Sequence, residues 1–144
     1  MHVARPIRHA LAALFLLLVA PAAEAAEVTV LIDLSDQQMT VWRHHEVAGV
    51  WPVSTARAGK CTPTGVFRPQ VLKEEHYSTR YDGAPMPWSI FFSGHYAIHG
   101  TTQVDRLGEP ASAGCVRLHP ENAKALFGWV QEAGKAETLI FIRE

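Results

Sequence analysis

The sequence predicts a mainly β fold with one helix near its C-terminal end. Three observations carry this. Short runs rich in β-branched and aromatic residues recur from Val28 to Ile98, separated by turn residues. A 3.6-residue apolar period occurs only between Pro120 and Gly134. The 144 residues suffice for one domain with one buried core, and no internal repeat or low-complexity stretch divides them.

Residues 1–25 read as a secretory signal peptide, leaving 26–144 as the folded domain. Arg5 and Arg8 supply the positive start, residues 10–20 form an unbroken apolar run, and Ala23-Glu24-Ala25 is a small-x-small cleavage site. The apolar run is shorter than the roughly 20 residues of a spanning helix. The expectation is export with no stable membrane insertion after cleavage.

Residues 28–34 then form a strand. Ser35 to Gln38 is a turn, and residues 39–43 form a second strand with Met39, Val41 and Arg43 on one face. His44-His45-Glu46 turns the chain into a third strand, residues 47–54, where Pro52 marks a kink or an edge. The three make an antiparallel meander. Residues 58–65 are a loop punctuated by Pro63 and Gly65, and residues 66–72 read as one strand. Residues 73–87 are polar and irregular, of a length typical of lids and binding loops. Residues 90–92 and 96–98 are strands around Ser93-Gly94-His95. Pro120 suits a first helical position, Ala123, Leu126, Phe127 and Val130 make one apolar face, and Gly134 suits the stop. Residues 138–142 close the fold as a strand.

A formal charge of −1 at pH 7 argues against a nucleic-acid partner, which demands a basic face. The chemistry concentrates in residues 97–118. Cys115 is the best nucleophile and His99 the best base. A thiol is weak until ionised, and an imidazole that takes its proton then stabilises the thiolate as imidazolium. Gly114 leaves room for an acyl group, and the N–H groups of Gly114 and Cys115 are the expected oxyanion donors. Ser112 holds the loop through its hydroxyl, and the Gly100 carbonyl orients the His99 ring. Arg117 either pairs with a substrate carboxylate or forms a structural salt bridge. Tyr77, Tyr81 and Trp88 either line a groove or belong to the core. His95 and His99 have an H-x-x-x-H spacing, but they lie on strand-like sequence without the accompanying glutamate, so no metal site and no cofactor are expected.

The run His99-Gly100, an intervening loop, then Ser112-Ala113-Gly114-Cys115-Val116-Arg117 resembles the catalytic motif of the L,D-transpeptidases, the YkuD family of cell-wall enzymes. The opening meander, Thr62-Pro63-Thr64-Gly65 and residues 86–92 resemble further family elements. One position departs: Ala113 stands where most members carry a second histidine, and His95 or His119 are the candidates to replace it. The resemblance implies a β-sandwich of mixed sheets with one helix after the nucleophile. It implies a periplasmic enzyme acting on peptidoglycan stem peptides. Cys115 would attack the L-centre carbonyl of diaminopimelate and release D-alanine, and an amine would take the thioester to form a cross-link. A wall-anchored lipoprotein is a further acceptor, and water would make the enzyme an L,D-carboxypeptidase. A different alternative is a non-catalytic stem-peptide-binding domain with a Cys61–Cys115 disulfide, the default pairing for two cysteines in an exported chain. A zinc hydrolase is the third.

Overall fold

The computed structural model describes residues 25–144, so the signal-peptide expectation lies almost wholly outside the described residues. The elements, in order, are β1 (Val28–Asp33), β2 (Gln38–Arg43), β3 (Glu46–Pro52), β4 (Gly65–Phe67), β5 (Val71–Lys73), β6 (Ser89–Ser93), β7 (Tyr96–Gly100), β8 (Val116–Leu118), α1 (Pro120–Ala133) and β9 (Thr138–Arg143). A single 3-10 turn, Val104–Arg106, interrupts the loop between β7 and β8.

The strands form two mixed sheets. One has the order β3-β2-β1-β9-β4, and the other β5-β6-β7-β8. Each contains one parallel pair, β1 with β9 and β7 with β8, among antiparallel neighbours. The meander is present as expected, and β3, which ends at Pro52, is an edge strand, where a residue without an N–H costs no ladder bond.

The strand expected over residues 66–72 is two strands in different sheets. Val66 pairs with Phe141 of β9, whereas Val71 pairs with Phe91 of β6. Buried Pro69 lies between them. It cannot donate to a ladder, so the chain leaves one sheet there and enters the other.

The core fills the space between the sheets. Val28, Val30, Ile32, Met39, Val41, Ile140 and Ile142 come from the first sheet, and Ile90, Phe92, Ile98, Val116 and Leu118 from the second. Alternation decides this, since every second residue of each strand points inward. Helix α1 adds Ala123, Leu126, Phe127 and Val130, the four residues of its apolar face. Each fully buried side chain of this size contributes about 1.5–3 kcal/mol of transfer free energy. The helix starts where His119 accepts a hydrogen bond from the Glu121 N–H and Pro120 takes the first turn, and it ends at Gly134 with φ +93°.

Candidate active site

Residues that point away from the core on the second sheet form the floor of a cavity of about 560 Å³. The parallel register of β7 and β8 pairs Ile98 with Val116 and His99 with Arg117. Ile98 and Val116 face the core, so His99 and Arg117 face the cavity side by side. Cys115, two residues before Arg117, opens onto the same space. Fifteen residues of sequence separate His99 from Gly114, and the sheet register brings the two ends together.

His99 is buried, and its Nδ1 lies 2.7 Å from the Gly100 carbonyl oxygen. A carbonyl only accepts, so Nδ1 carries the hydrogen and Nε2 keeps its lone pair. Burial is the main force on the ring and pushes its pKa down to about 4 from 6.5. The bond to Gly100 opposes this, and the charges of Arg117 and His76 reinforce it. The Cys115 thiol is pushed up, chiefly by burial, while the Ala97 backbone, Arg117 and Arg80 pull it down. The resting pair at neutral pH is therefore thiol and neutral imidazole. The buried site disfavours both charged forms.

The turn before Cys115 is tied down from three sides. Ser112 Oγ donates to the Cys115 carbonyl at 2.6 Å and accepts from the Gly114 N–H at 3.0 Å. Of the two expected oxyanion donors, Gly114 is thus already engaged. Thr62 Oγ1 donates to the Gly114 carbonyl at 2.8 Å and accepts from the Ala56 N–H. The Ala111 and Ser112 N–H groups both donate to the Thr55 carbonyl. Thr55 is in turn held by the buried Gln37, whose side-chain amide donates to Thr55 Oγ1 and accepts from the Thr55 N–H. Gly114 has φ +139°, and a Cβ there would stand 2.6 Å from the Tyr96 ring and 2.8 Å from the Cys61 carbonyl oxygen. Glycine is the residue this position requires. Gly100 is packed tightly but less so, because a Cβ would stand 3.1 Å from Pro87 and 3.2 Å from Pro120.

Residues 74–88 wall the cavity opposite the strands. The loop folds onto itself: Ser78 N–H donates to the Ala84 carbonyl, Met86 N–H to the His76 carbonyl and Trp88 N–H to the Glu74 carbonyl. Tyr81 lines the cavity. Trp88 does not, and the groove reading for it is corrected: its ring meets Phe127 of the helix edge-on at 5.5 Å. Tyr77 is exposed outside the lining. Ala113 lines the cavity, as does His95, whose carbonyl accepts from the Cys115 thiol at 3.7 Å and whose ring stacks on Tyr96. His119 is occupied in capping the helix.

Sequence reasoning missed His76, Arg57 and Arg80, all of which line the cavity. They lie in segments without periodicity, and nothing local marks them. Cys61 and Cys115 are both free thiols, so the alternative disulfide is not formed. Among the described residues no three His, Cys, Asp or Glu side chains are grouped to hold a metal ion, and no helix is long and apolar enough to cross a membrane.

Comparison with known proteins now decides the family. The family model for the L,D-transpeptidase catalytic domain matches residues 27–139. The chain belongs to that family. It is 28% identical over 111 residues to YqjB of Bacillus subtilis (strain 168), named as a candidate L,D-transpeptidase, covering 68% of this chain and 63% of YqjB. The chain therefore spans less than two thirds of that relative. Among solved structures, an L,D-transpeptidase from Stackebrandtia nassauensis superposes with a TM-score of 0.71 at 26% identity, over 85% of this chain and 57% of that one. L,D-transpeptidase 3 from Mycobacterium tuberculosis, solved with a faropenem-derived adduct, gives 0.70 at 19% identity, over 83% and 61%. At that last identity the likeness is one of fold.

Proposed function

We propose that this protein is a peptidoglycan L,D-transpeptidase that works through a Cys115 thioester. The observation that supports it best is the neutral, buried His99, whose Nδ1 is committed to Gly100, leaving Nε2 as its free ring nitrogen, in a cavity that it lines together with Cys115. As the thiol proton passes to His99 Nε2, sulfur attacks the L-centre carbonyl of diaminopimelate in a stem peptide. The tetrahedral oxyanion collapses, the bond to D-alanine breaks, and the leaving amine takes the proton from the imidazolium. An amine on a second stem peptide, or on a wall-anchored lipoprotein, then attacks the thioester. His99 accepts its proton, and the returning thiolate is reprotonated. Water in that position gives L,D-carboxypeptidase activity. The location that fits this substrate is the periplasm, reached through the residue 1–25 signal.

Intact mass after exposure to faropenem tests the reading, with Cys115→Ala beside the wild type. One adduct, absent from the variant, is the expected result. Incubation with a disaccharide-tetrapeptide then separates acceptors, because a cross-linked dimer marks transfer and a free tripeptide marks hydrolysis. An unmodified wild-type protein that releases no D-alanine from the tetrapeptide would overturn the proposal.

A further inference from the structure

Four cationic side chains, Arg57, Lys73, Arg80 and Arg117, line the cavity, and no aspartate or glutamate does. The composition of the chain does not impose this, since 13 basic residues stand against 14 acidic ones. Elsewhere among the described residues three arginines are ion-paired, Arg43 with Glu132, Arg106 with Glu109 and Arg143 with Asp33, while Arg68 and Lys135 bond backbone carbonyls and Lys124 lies over the Trp88 ring. Among the described residues none of the four cavity cations forms an ion pair. Arg117 donates to the neutral Gln103 side chain at 2.9 Å, and Arg57 to the Ser112 carbonyl at 3.2 Å. These neutral acceptors hold the two guanidiniums without cancelling their charge. Each guanidinium has five N–H donors, so one such bond leaves a fork free for a carboxylate.

The cations repel one another as well as attract. Burial, and then the charges of Arg57 and Arg106, make the charged form of Arg117 less favourable, while the Cys115 thiolate supports it. A set of like charges held around one concavity without counter-ions is stabilised by an anionic ligand with more than one charge. Arg117 and Arg80 both act electrostatically on the Cys115 sulfur, Arg57 is tied to the Ser112 carbonyl, and Lys73 lies on β5.

We infer that these four residues form a carboxylate seat that selects acyl donors carrying free carboxylates on both sides of the scissile bond, and that discriminates against donors with the diaminopimelate carboxylate converted to an amide. The inference rests on the cavity being the acyl-donor site. The amide keeps the size of the acid and loses its charge, so the seat itself reads the difference.

Two measurements test it, and neither needs turnover. The first compares alkylation of Cys115 by iodoacetate and by iodoacetamide, followed by peptide-resolved mass spectrometry and normalised to glutathione. At low ionic strength the anionic reagent should be favoured by about fivefold, falling towards unity in roughly 0.5 M salt and falling also in Arg80→Gln and Arg57→Gln. The second measures binding of the free-acid and carboxamide tetrapeptides to Cys115→Ala. The acid should bind about tenfold more tightly, as expected for a charge-assisted hydrogen bond, and Arg80→Gln should narrow the gap. An alkylation ratio equal to that of glutathione, or equal binding of acid and amide, would overturn the inference and leave the transpeptidase proposal standing. Selective binding of the acid by a protein that transfers neither donor would do the reverse.

Discussion

The strand wall of the cavity, β7 with β8, and the loop wall, residues 74–88, differ in what stands behind them. Ile98, Val116 and Leu118 lie directly behind His99, Cys115 and Arg117 and are essentially inaccessible to solvent. Any displacement of the reacting groups therefore disturbs the core. The loop has little behind it. Most of its residues are exposed, and its backbone bonds run largely within itself, with Pro87 O to Gly100 N–H as a tie to the strands. The comparison teaches a division of labour. On the proposed function, the groups that react sit at the rigid sheet, while Arg80 and Tyr81 sit on a segment that can change without unfolding the domain.

The sharpest way to break the strand wall is Gly114→Ala. Its Cβ meets the Tyr96 ring and the Cys61 carbonyl at a backbone conformation that disfavours side chains. Strain and overpacking together should cost about 3 kcal/mol, and the Cys115 adduct with faropenem should form at least about a hundredfold more slowly by mass spectrometry.

Acid should act on the same wall. His99 in the unfolded chain takes a proton near pH 6.5, whereas the folded site holds it off until about pH 4. Between these values the unfolded state binds more protons, so stability falls as pH falls through that window and is intact above it. The full difference corresponds to about 3 kcal/mol. Chemical denaturation at pH 7 and pH 4.5 measures it, and His99→Gln should flatten the dependence. Activity should follow the folded value, with its acid limb well below pH 6.

Thr62→Val probes the bracing of the turn. It leaves the Gly114 carbonyl and the Ala56 N–H without their partner, at about 1–3 kcal/mol per buried unsatisfied group. Its signature is a fall in acylation rate with little change in donor affinity. Tyr81→Ala, on the loop wall, should do the opposite. Thermal stability should stay within about 0.5 kcal/mol of wild type, as for exposed positions, while KM for the stem peptide rises. Equal effects of the two substitutions on the rate would remove the distinction between the walls.

Much of this arrangement is legible in the sequence, and the reasons differ by segment. The helix is legible because all four residues of its 3.6-period face are core residues. The meander is legible because long strands carry enough alternation to declare a face. The His99 and Cys115 ends of the site are legible because small residues cluster where backbone must approach a ligand. The loop from Arg57 to Gln70 is not. Strands of three residues carry too little periodicity to separate β4 from β5. Gln37 looks like one more turn residue, yet its side chain reaches 18 positions along the chain to brace Thr55. Trp88 illustrates the converse, since an aromatic beside a motif has no local mark that tells groove from core. The charge state of Cys115 and His99 is likewise hidden, because burial sets it and burial is a property of the assembled sheets.

The pairing of β1 with β9 has a consequence for how the molecule comes into being. The first strand of the domain lies between β2 and the last strand, and β4 has its partner only in that last strand. A ribosome must deliver residue 143 before this sheet can be completed. Until then β1 exposes an unpaired edge, and the contacts still to be made span more than a hundred residues of sequence, the most slowly formed kind. The β1–β2–β3 meander can pair locally, whereas the β1–β9 and β9–β4 ladders close only once β9 is available.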